Sequence, residues 1–143
     1  EVGLHPDGSL RDRHLWQLPP LAPHLCALRM DAALDFATAS ALERAVADHL
    51  QQQPDTTHVM LVAHPINWID ATGAEAFGRL RERLDDQRVH LHLVGVKLPV
   101  ERVLRTAGHL YENERLHLYR TEAEALQAIA QGATAEPEAA PGN

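Results

Sequence analysis

The feature that most constrains this chain is a regular alternation between short apolar runs and amphipathic helical repeats. Residues 59–63 form a continuous apolar run of strand length, and residues 42–50 before it repeat apolar side chains every three or four positions. The same alternation continues to residue 131. It predicts an α/β fold: a single domain with a mixed, mostly parallel sheet of about four to five strands, packed with about four helices.

Four strands and four helices are predicted from this pattern. The strands are expected at residues 24–30, 58–64, 89–96 and 116–119, and the helices begin near Thr38, Gly73, Pro99 and Thr121. In the third strand leucines alternate with His90 and His92, which predicts one apolar and one polar face. In the second helix Arg79, Arg81 and Arg83 lie opposite the apolar repeat, and they are expected on a solvated face.

The two ends of the chain differ in composition from its middle. Residues 1–23 are rich in proline and predict a linker or arm, in which residues 14–18 are the only strand-like piece and are expected to pair along a sheet edge. Residues 24–131 carry the folded domain. Residues 132–143 are rich in Ala, Pro, Glu and Gly, and they predict a disordered tail.

Charge and cysteine content exclude several classes of protein. The formal net charge is −7 and no run of Lys or Arg is present, so nucleic acid is not an expected partner. Cys26 is the single cysteine and lies in an apolar run, which predicts a buried, inert thiol in a reducing compartment. No apolar stretch is long enough to span a membrane. We therefore expect the chain to be soluble, either as an excised domain or as a processed product.

The most informative segment for function is the turn between the second strand and the second helix. Unsatisfied N–H groups at a helix start suit an anion, a phosphate or a phosphorylated hydroxyl, and Thr72 supplies a hydroxyl there. Simple helix capping is the alternative, because Thr72 and Glu75 have capping-box spacing and Asp70 is also a good cap. Gly73 in place of a better helix former indicates a close backbone approach.

Enzyme and metal sites are the alternatives to a binding or capping turn. No nucleophile elbow or P-loop is present, and Thr72, Asp70 and His64 lack an evident oxyanion partner, so we expect no catalytic residue and no cofactor. His90 and His92, joined by His58 or His117 from neighbouring strands, raise the hypothesis of a metal site. The chain has no Cys-x-x-Cys or His-Glu-x-x-His spacing, and strand alternation already explains these histidines. No metal is expected.

The middle of the chain resembles a known family. Residues 60–73, the amphipathic helix after them, and residues 89–97 and 99–108 resemble the STAS domain shared by SulP transporters and bacterial anti-sigma-factor antagonists. The family motif after the central strand is Asp-Ser-[Ser/Thr]-Gly. The matching residues here are Asp70, Ala71, Thr72 and Gly73. The resemblance covers residues 23–131, roughly three quarters of the chain.

Two further segments resemble the transporter branch of that family. Residues 34–39 are similar to its Leu-Tyr-Phe-Ala-Asn-Ala block, and residues 8–12 are similar to the tract that joins the last transmembrane helix to the domain. The resemblance implies a non-catalytic regulatory and interaction domain on the cytoplasmic face of the membrane. The parent would be a SulP-type transporter of sulfate, bicarbonate, chloride or a dicarboxylate.

The expected partners are the transmembrane domain of the same transporter, a cytosolic protein, and a weakly bound anion or nucleotide. The contacts are expected at the turn Asp70, Ala71, Thr72 and Gly73, with Asn67 and Glu75 on the adjoining surface. One alternative is a stand-alone anti-sigma-factor antagonist switched by phosphorylation of Thr72, although Ala71 replaces the usual Ser and residues 64–67 replace the commoner Asp-Leu-Ser-X run. A small hydrolase or transferase is the second alternative.

Overall fold

A computed structural model describes residues 1–4, 10–13, 17–31, 33–111, 113 and 115–132. The strands are β1 Val2–Leu4, β2 Leu10–Asp12, β3 Leu25–Arg29, β4 His58–Val62, β5 His90–Val94 and β6 Leu116–Tyr119. The helices are α1 Phe36–Gln52, α2 Ala71–Asp86, α3 Leu98–Thr106 and α4 Glu122–Ala130. The four strands and four helices predicted for the central region are all present. None of the helices among the described residues is long and apolar enough to cross a membrane.

The main sheet has four parallel strands in the order β3-β4-β5-β6. Its register places His58 opposite His90 and His92 opposite His117. The predicted α/β fold is therefore confirmed. Among the described residues, antiparallel pairing occurs in a separate two-stranded sheet, β1 with β2, in the arm.

The arm differs from its prediction. Its described strands are Val2–Leu4 and Leu10–Asp12, so the expectation that residues 14–18 hold the only strand-like piece is wrong. Strands of three residues are too short to show an alternating pattern in a sequence. Residues 14–16 lie outside the described residues, and so does the predicted tail after Gly132. The pairing of residues 14–18 along a sheet edge stays a prediction.

The sequential strand order decides which face of the sheet each helix covers. Right-handed crossovers between adjacent parallel strands all pass over the same face, which here carries α1, α2 and α3. We call these helices the three-helix layer. The larger apolar core lies beneath them and includes Leu61, Leu93 and Leu84.

The opposite face of the sheet is covered by β1 and α4. Here Val2 and Ala125 pack on Met60, Val62 and Val94 in a second, smaller core. We call the arm and α4 together the second layer. Because both faces are covered, β5 is buried along its whole length.

Burial adds to one prediction from the sequence and corrects another. His90 and His92 do form a polar face on β5, but they are only 4% and 0% exposed, because the second layer covers the sheet. Arg81 is also buried. Its Nη1 donates to the carbonyl oxygen of His109 at 3.0 Å, and its guanidinium lies 3.6 Å from the centre of the Tyr111 ring. Arg81 therefore fastens α2 to the segment after α3.

The other two arginines of α2 are exposed, as predicted, and both reach across to α1. Nε of Arg79 lies 3.8 Å from Oε2 of Glu43, and Nη2 of Arg83 lies 3.3 Å from Oε1 of the same residue. Cys26 is buried, as expected. Burial, and then the nearby Glu1 carboxylate, raise the pKa of its thiol to about 12, so this sulfur is unreactive at neutral pH.

Candidate functional site

Asp70 decides where α2 begins. Its backbone is extended, and its Oδ1 accepts a hydrogen bond from the N–H of Gly73 at 2.7 Å, which makes Asp70 the N-cap. The helix starts at Ala71, so Thr72 is its second residue and cannot cap it. Of the two capping interpretations, the Asp70 cap is confirmed, and the box formed by Thr72 with Glu75 is wrong.

Thr72 is exposed and its hydroxyl is oriented by the same carboxylate. The hydroxyl donates to Oδ1 of Asp70 at 3.0 Å, so one oxygen accepts from both Thr72 and Gly73. Ala71, beside it, is also exposed. The turn therefore presents to solvent the Thr72 hydroxyl, oriented by Asp70, at the positive end of the α2 dipole.

The reason for glycine at position 73 lies inside the protein. A Cβ on Gly73 would overlap the carbonyl oxygen of Leu34. Leu34 forms an isolated parallel bridge with Ile69, and its N–H donates to the carbonyl oxygen of Trp68 at 3.0 Å. The close backbone approach that Gly73 indicates is therefore made by the chain itself and not by a ligand.

The loop before the turn also contacts the start of α3. The side-chain oxygen of the exposed Asn67 accepts a hydrogen bond from Nζ of Lys97, directly before Leu98. Together with the Leu34–Ile69 bridge, this contact gathers the starts of α1, α2 and α3 at the carboxyl edge of the sheet. That Asn67 belongs to the functional surface stays a prediction.

Three large apolar side chains are exposed at this same edge. Phe36 is 58% exposed, Trp68 52% and Leu98 63%. We call Phe36, Trp68, Leu98 and Thr72 the turn surface. Sequence reasoning missed the apolar members. Phe36 and Leu98 are the first residues of their helices and lie outside the apolar repeats, and this position is the signal that would have identified them.

A groove of about 650 Å³ between α2 and α3 borders the turn. Ala71 and the exposed Glu75 lie on its α2 side. The remaining lining residues are Ala74, Arg102, Val103, Thr106, Ala107 and His109. Glu75 therefore lines a groove that Arg102 also lines, and its membership of the functional surface stays a prediction.

The groups considered for catalysis do not assemble. Nε2 of His64 is bonded to Oε1 of Glu122 at 2.9 Å, which directs this imidazole to α4 and away from Thr72. The acceptor that does contact the Thr72 hydroxyl is the capping carboxylate of Asp70. An aspartate that also caps a helix is poorly placed to act as a general base.

The histidines considered for a metal do come together, but in hydrogen-bonded pairs. His58 bonds His92, and His90 bonds His117. In the part of the chain that the structure describes, the three metal-type ligands that converge within 4.8 Å are instead Glu1, Cys26 and His49. The Glu1 carboxylate already pairs with Arg13 at 2.8 Å.

Comparison with known families identifies the fold. The family model of the STAS domain matches residues 20–125. This chain belongs to the STAS domain family, as the resemblance implied. STAS domains are in general regulatory and not catalytic. A search of curated proteins finds no match.

Solved structures with this fold include both branches of the family. The murine solute carrier 26 family member A9 anion transporter aligns with a TM-score of 0.72 and 15% identity, over 92% of this chain and 21% of its own. A sulfate transporter family protein from Wolinella succinogenes gives 0.67 and 19%, over 85% and 97%. A Thermotoga maritima protein assigned as an anti-sigma factor antagonist gives 0.64 and 18%, over 83% and 99%. At these identities the likeness establishes the fold.

Proposed function

We propose that this chain is the regulatory STAS domain of a SulP-type anion transporter and that it acts through protein contacts at the cytoplasmic face of the membrane. Residues 34–39 and 8–12 support this branch by their resemblance to transporter segments. The alignment with the murine anion transporter covers 92% of the chain, against 83% for the assigned antagonist. The transmembrane domain of the same transporter is the first partner, and a cytosolic protein is the second.

The observation that carries this proposal is the turn surface. Among the described residues, five large apolar side chains are exposed, and Phe36, Trp68 and Leu98 share the edge that holds Asp70 and Thr72. Exposed apolar side chains grouped beside polar ones are typical of protein interaction sites, and tryptophan is enriched among the residues that dominate binding. A partner that buries this edge also covers the Thr72 hydroxyl.

Binding of an anion or nucleotide at the same turn is proposed to be weak. The start of α2 attracts negative charge through its unpaired N–H groups. However, Asp70 already occupies the N–H of Gly73 and adds a negative charge of its own. Titration with sulfate or a nucleotide should therefore shift amide resonances of residues 71–74 only at high concentration, and changes confined elsewhere would contradict this site.

The test uses the full-length protein that contains this chain. Phe36→Ser combined with Trp68→Ser should reduce anion transport and capture of the transmembrane domain by at least roughly ten-fold, the effect of losing 1.4 kcal/mol of contact energy. The matched control is Leu118→Ser. Leu118 is 38% exposed on the edge strand β6, two strands from β4 and three from β3, and it shares a groove with Leu98, which the double variant leaves unchanged. Equal effects of both variants would contradict the role of the turn surface.

The parent protein can be tested separately. A membrane region encoded directly upstream of Glu1 in the same reading frame is required by this proposal. If the reading frame instead begins just before Glu1, the transporter assignment is wrong, whatever the variants of the turn surface do.

The second candidate function is a free antagonist switched by phosphorylation of Thr72. The exposed, oriented hydroxyl of Thr72 favours it. A phosphate there would add about two negative charges beside Asp70 and block a partner. Incubation with a candidate kinase and mass spectrometry would test it, since an unmodified Thr72 under conditions that modify a known antagonist would exclude the switch.

A small hydrolase or transferase is the third candidate and has the least support. The proposal of a non-catalytic domain predicts no turnover by the purified protein. Robust turnover that Thr72→Ala abolishes would overturn it.

A further inference from the structure

Four histidines lie together on the face of the sheet that the second layer covers. They are His58 on β4, His90 and His92 on β5, and His117 on β6. Side chains two residues apart on a strand, and those paired across strands, share a face. We call these four residues the histidine ladder. Their rings are stacked or tilted on one another, with centres 5.0–5.3 Å apart between neighbouring strands.

The ladder is held by hydrogen bonds between ring nitrogens. Nδ1 of His58 lies 3.0 Å from Nε2 of His92, and Nδ1 of His90 lies 3.1 Å from Nε2 of His117. The remaining nitrogen of His92 lies 3.2 Å from the hydroxyl of Tyr119. In each pair one nitrogen donates and the other accepts, so the acceptor nitrogen must carry no proton and at most one ring of the pair can be charged.

His92 is the member with the least freedom. It is 0% exposed, and both of its ring nitrogens are engaged. A single added proton must bind an outer ring nitrogen of His58 or His92, because the two facing nitrogens already share a proton; the bond survives, but a charge is placed in a desolvated site. A second added proton puts like charges 3.0 Å apart and leaves two donors facing each other.

Several charged groups of the elements packed near the ladder are paired with other residues. Glu122 bonds His64, Arg13 bonds Glu1, Arg29 bonds Asp31, and His24 before β3 bonds Asp55. Arg115 directly precedes β6, the outer strand of the ladder. Glu124 accepts from the backbone N–H of Arg120, and Arg11 and Asp12 belong to β2.

The electrostatics of the individual rings agree with this geometry. Burial, followed by the charges of His90, His117 and His24, lowers the pKa of His58 to about 4. Burial, followed by the charges of the other ladder histidines, lowers the pKa of His92 to about 3. In the unfolded chain both rings titrate near pH 6.5. The folded domain therefore resists protons that the unfolded chain accepts.

We propose that the histidine ladder makes this domain acid-sensitive: proton uptake by His58 and His92 loosens the second layer from the sheet, while the three-helix layer stays in place. The link to the second layer is Tyr119, which bonds His92 and packs into the small core beneath α4 and the arm. Acidification in this way would uncover a sheet face that is closed at neutral pH.

The sign of the pH dependence follows from linkage. Both pKa values are depressed in the folded state, so stability is unchanged by these groups above about pH 6.5 and falls as the pH drops from there toward about 4. For two such groups the unfolding equilibrium constant should rise roughly fifty-fold between pH 6 and pH 5. This fifty-fold rise is the contribution of His58 and His92 alone, and the contributions of other titrating groups are additional to it.

The experiment compares urea unfolding of the wild type and of the His58→Phe/His92→Phe double variant at pH 7.5, 6 and 5. The double variant should lose the fifty-fold excess, while the control His64→Gln should keep it. His64 is half exposed and bonded to Glu122, at the opposite end of β4 from the ladder. If wild type and double variant show the same pH dependence, the proposal is wrong.

Two measurements on the wild type alone protect the test against a variant that fails to fold. In an NMR titration of the histidine rings, His92 should stay neutral above pH 5, and titration of this ring near pH 6.5 in the folded protein would overturn the proposal. Hydrogen exchange, corrected for intrinsic rates, should accelerate more in α4 than in α2 between pH 7 and pH 5. Equal acceleration in both helices would refute selective loosening of the second layer.

Discussion

The two faces of the four-stranded sheet come from the same strands but are built in different ways. Leu91 and Leu93 of β5 point into the large apolar core beneath the three-helix layer, whereas His90 and His92 point toward the second layer. The first face is held by apolar burial, which is almost independent of pH. The second combines a small apolar core with hydrogen bonds that require an unprotonated acceptor nitrogen on one ring of each histidine pair. Alternation along β5 thus gives the sheet one face whose stability hardly depends on pH and one face whose stability does.

The largest effect on stability is expected from deleting apolar side chains on the sheet face beneath the three-helix layer. Leu93→Ala should lower the free energy of unfolding by about 2–5 kcal/mol, because Leu93 is 1% exposed and its loss leaves a cavity. Val94→Ala, on the other face of the same strand, removes two methyl groups and should cost roughly 2 kcal/mol. Urea unfolding at pH 7.5 measures both. Because Leu93→Ala removes three carbons and Val94→Ala two, an equal cost per removed carbon would show that the two faces are packed alike.

The next effect concerns how closely α2 fits its neighbours in the three-helix layer. Gly73→Ala should cost about 1–3 kcal/mol, since the new Cβ meets the backbone carbonyl of Leu34, which cannot move aside as a side chain could. Glu75→Ala, in the same helical turn but exposed, is the control and should change stability by less than about 0.5 kcal/mol. A neutral Gly73→Ala in thermal unfolding would mean that the Leu34–Ile69 bridge is not tight.

Helix caps allow a direct comparison between the two layers. Asp70→Ala should cost up to about 2 kcal/mol, because a charged carboxylate oxygen accepts from Gly73 at 2.7 Å and also holds Thr72. Thr121→Ala at the start of α4 removes a longer, uncharged bond of 3.2 Å to Glu124 and should cost about 1 kcal/mol or less. Circular dichroism melts of both variants measure the difference. A larger loss of stability for Thr121→Ala than for Asp70→Ala would contradict this expected order of the two caps.

The smallest effect on stability is expected at the site itself. Thr72→Glu adds repulsion toward Asp70, but a negative charge at the start of α2 is favoured by about 0.3–1 kcal/mol, so the two contributions nearly cancel. Stability should change by less than about 1 kcal/mol, whereas partner engagement should fall sharply because the partner meets the charge without the compensation.

Thermal unfolding of the Thr72→Glu domain and transport or partner binding by the full-length variant together measure this separation. Thr72→Ser keeps the hydroxyl and is the matched control. A Thr72→Glu domain that is unfolded at room temperature would show that Thr72 is structural and that the functional interpretation of the turn is wrong.

Much of the fold could be predicted because its signals are local. The apolar run of β4 and the alternation of β5 need only neighbouring residues to be read, and so does the spacing that places Asp70 before α2. Strands β1 and β2 were missed because three residues carry no periodic signal. Arg81 was misplaced because its neighbours Arg79 and Arg83 are exposed, while its own guanidinium is covered by a distant segment that carries Tyr111.

The candidate site was also predicted only in part from the sequence. The motif from Asp70 to Gly73 is visible in the sequence, and so are the hydroxyl of Thr72 and the two candidate caps, Asp70 and Thr72. The choice of Asp70 over Thr72 as the cap depended on where the helix begins, and the need for Gly73 depended on Leu34, which lies far away in the chain. The exposure of Phe36, Trp68 and Leu98 required all three helix starts to be placed first.

The sequence by itself determined the α/β order, the STAS family and the chemistry of the turn, because periodicity and short motifs are properties of adjacent residues. Only the tertiary structure decided which polar residues are buried. His92 is polar by sequence, yet it is enclosed because sequential crossovers leave one face of the sheet free for α4 and the arm to cover. Burial is set by what packs from elsewhere in the chain, and no local pattern contains that information.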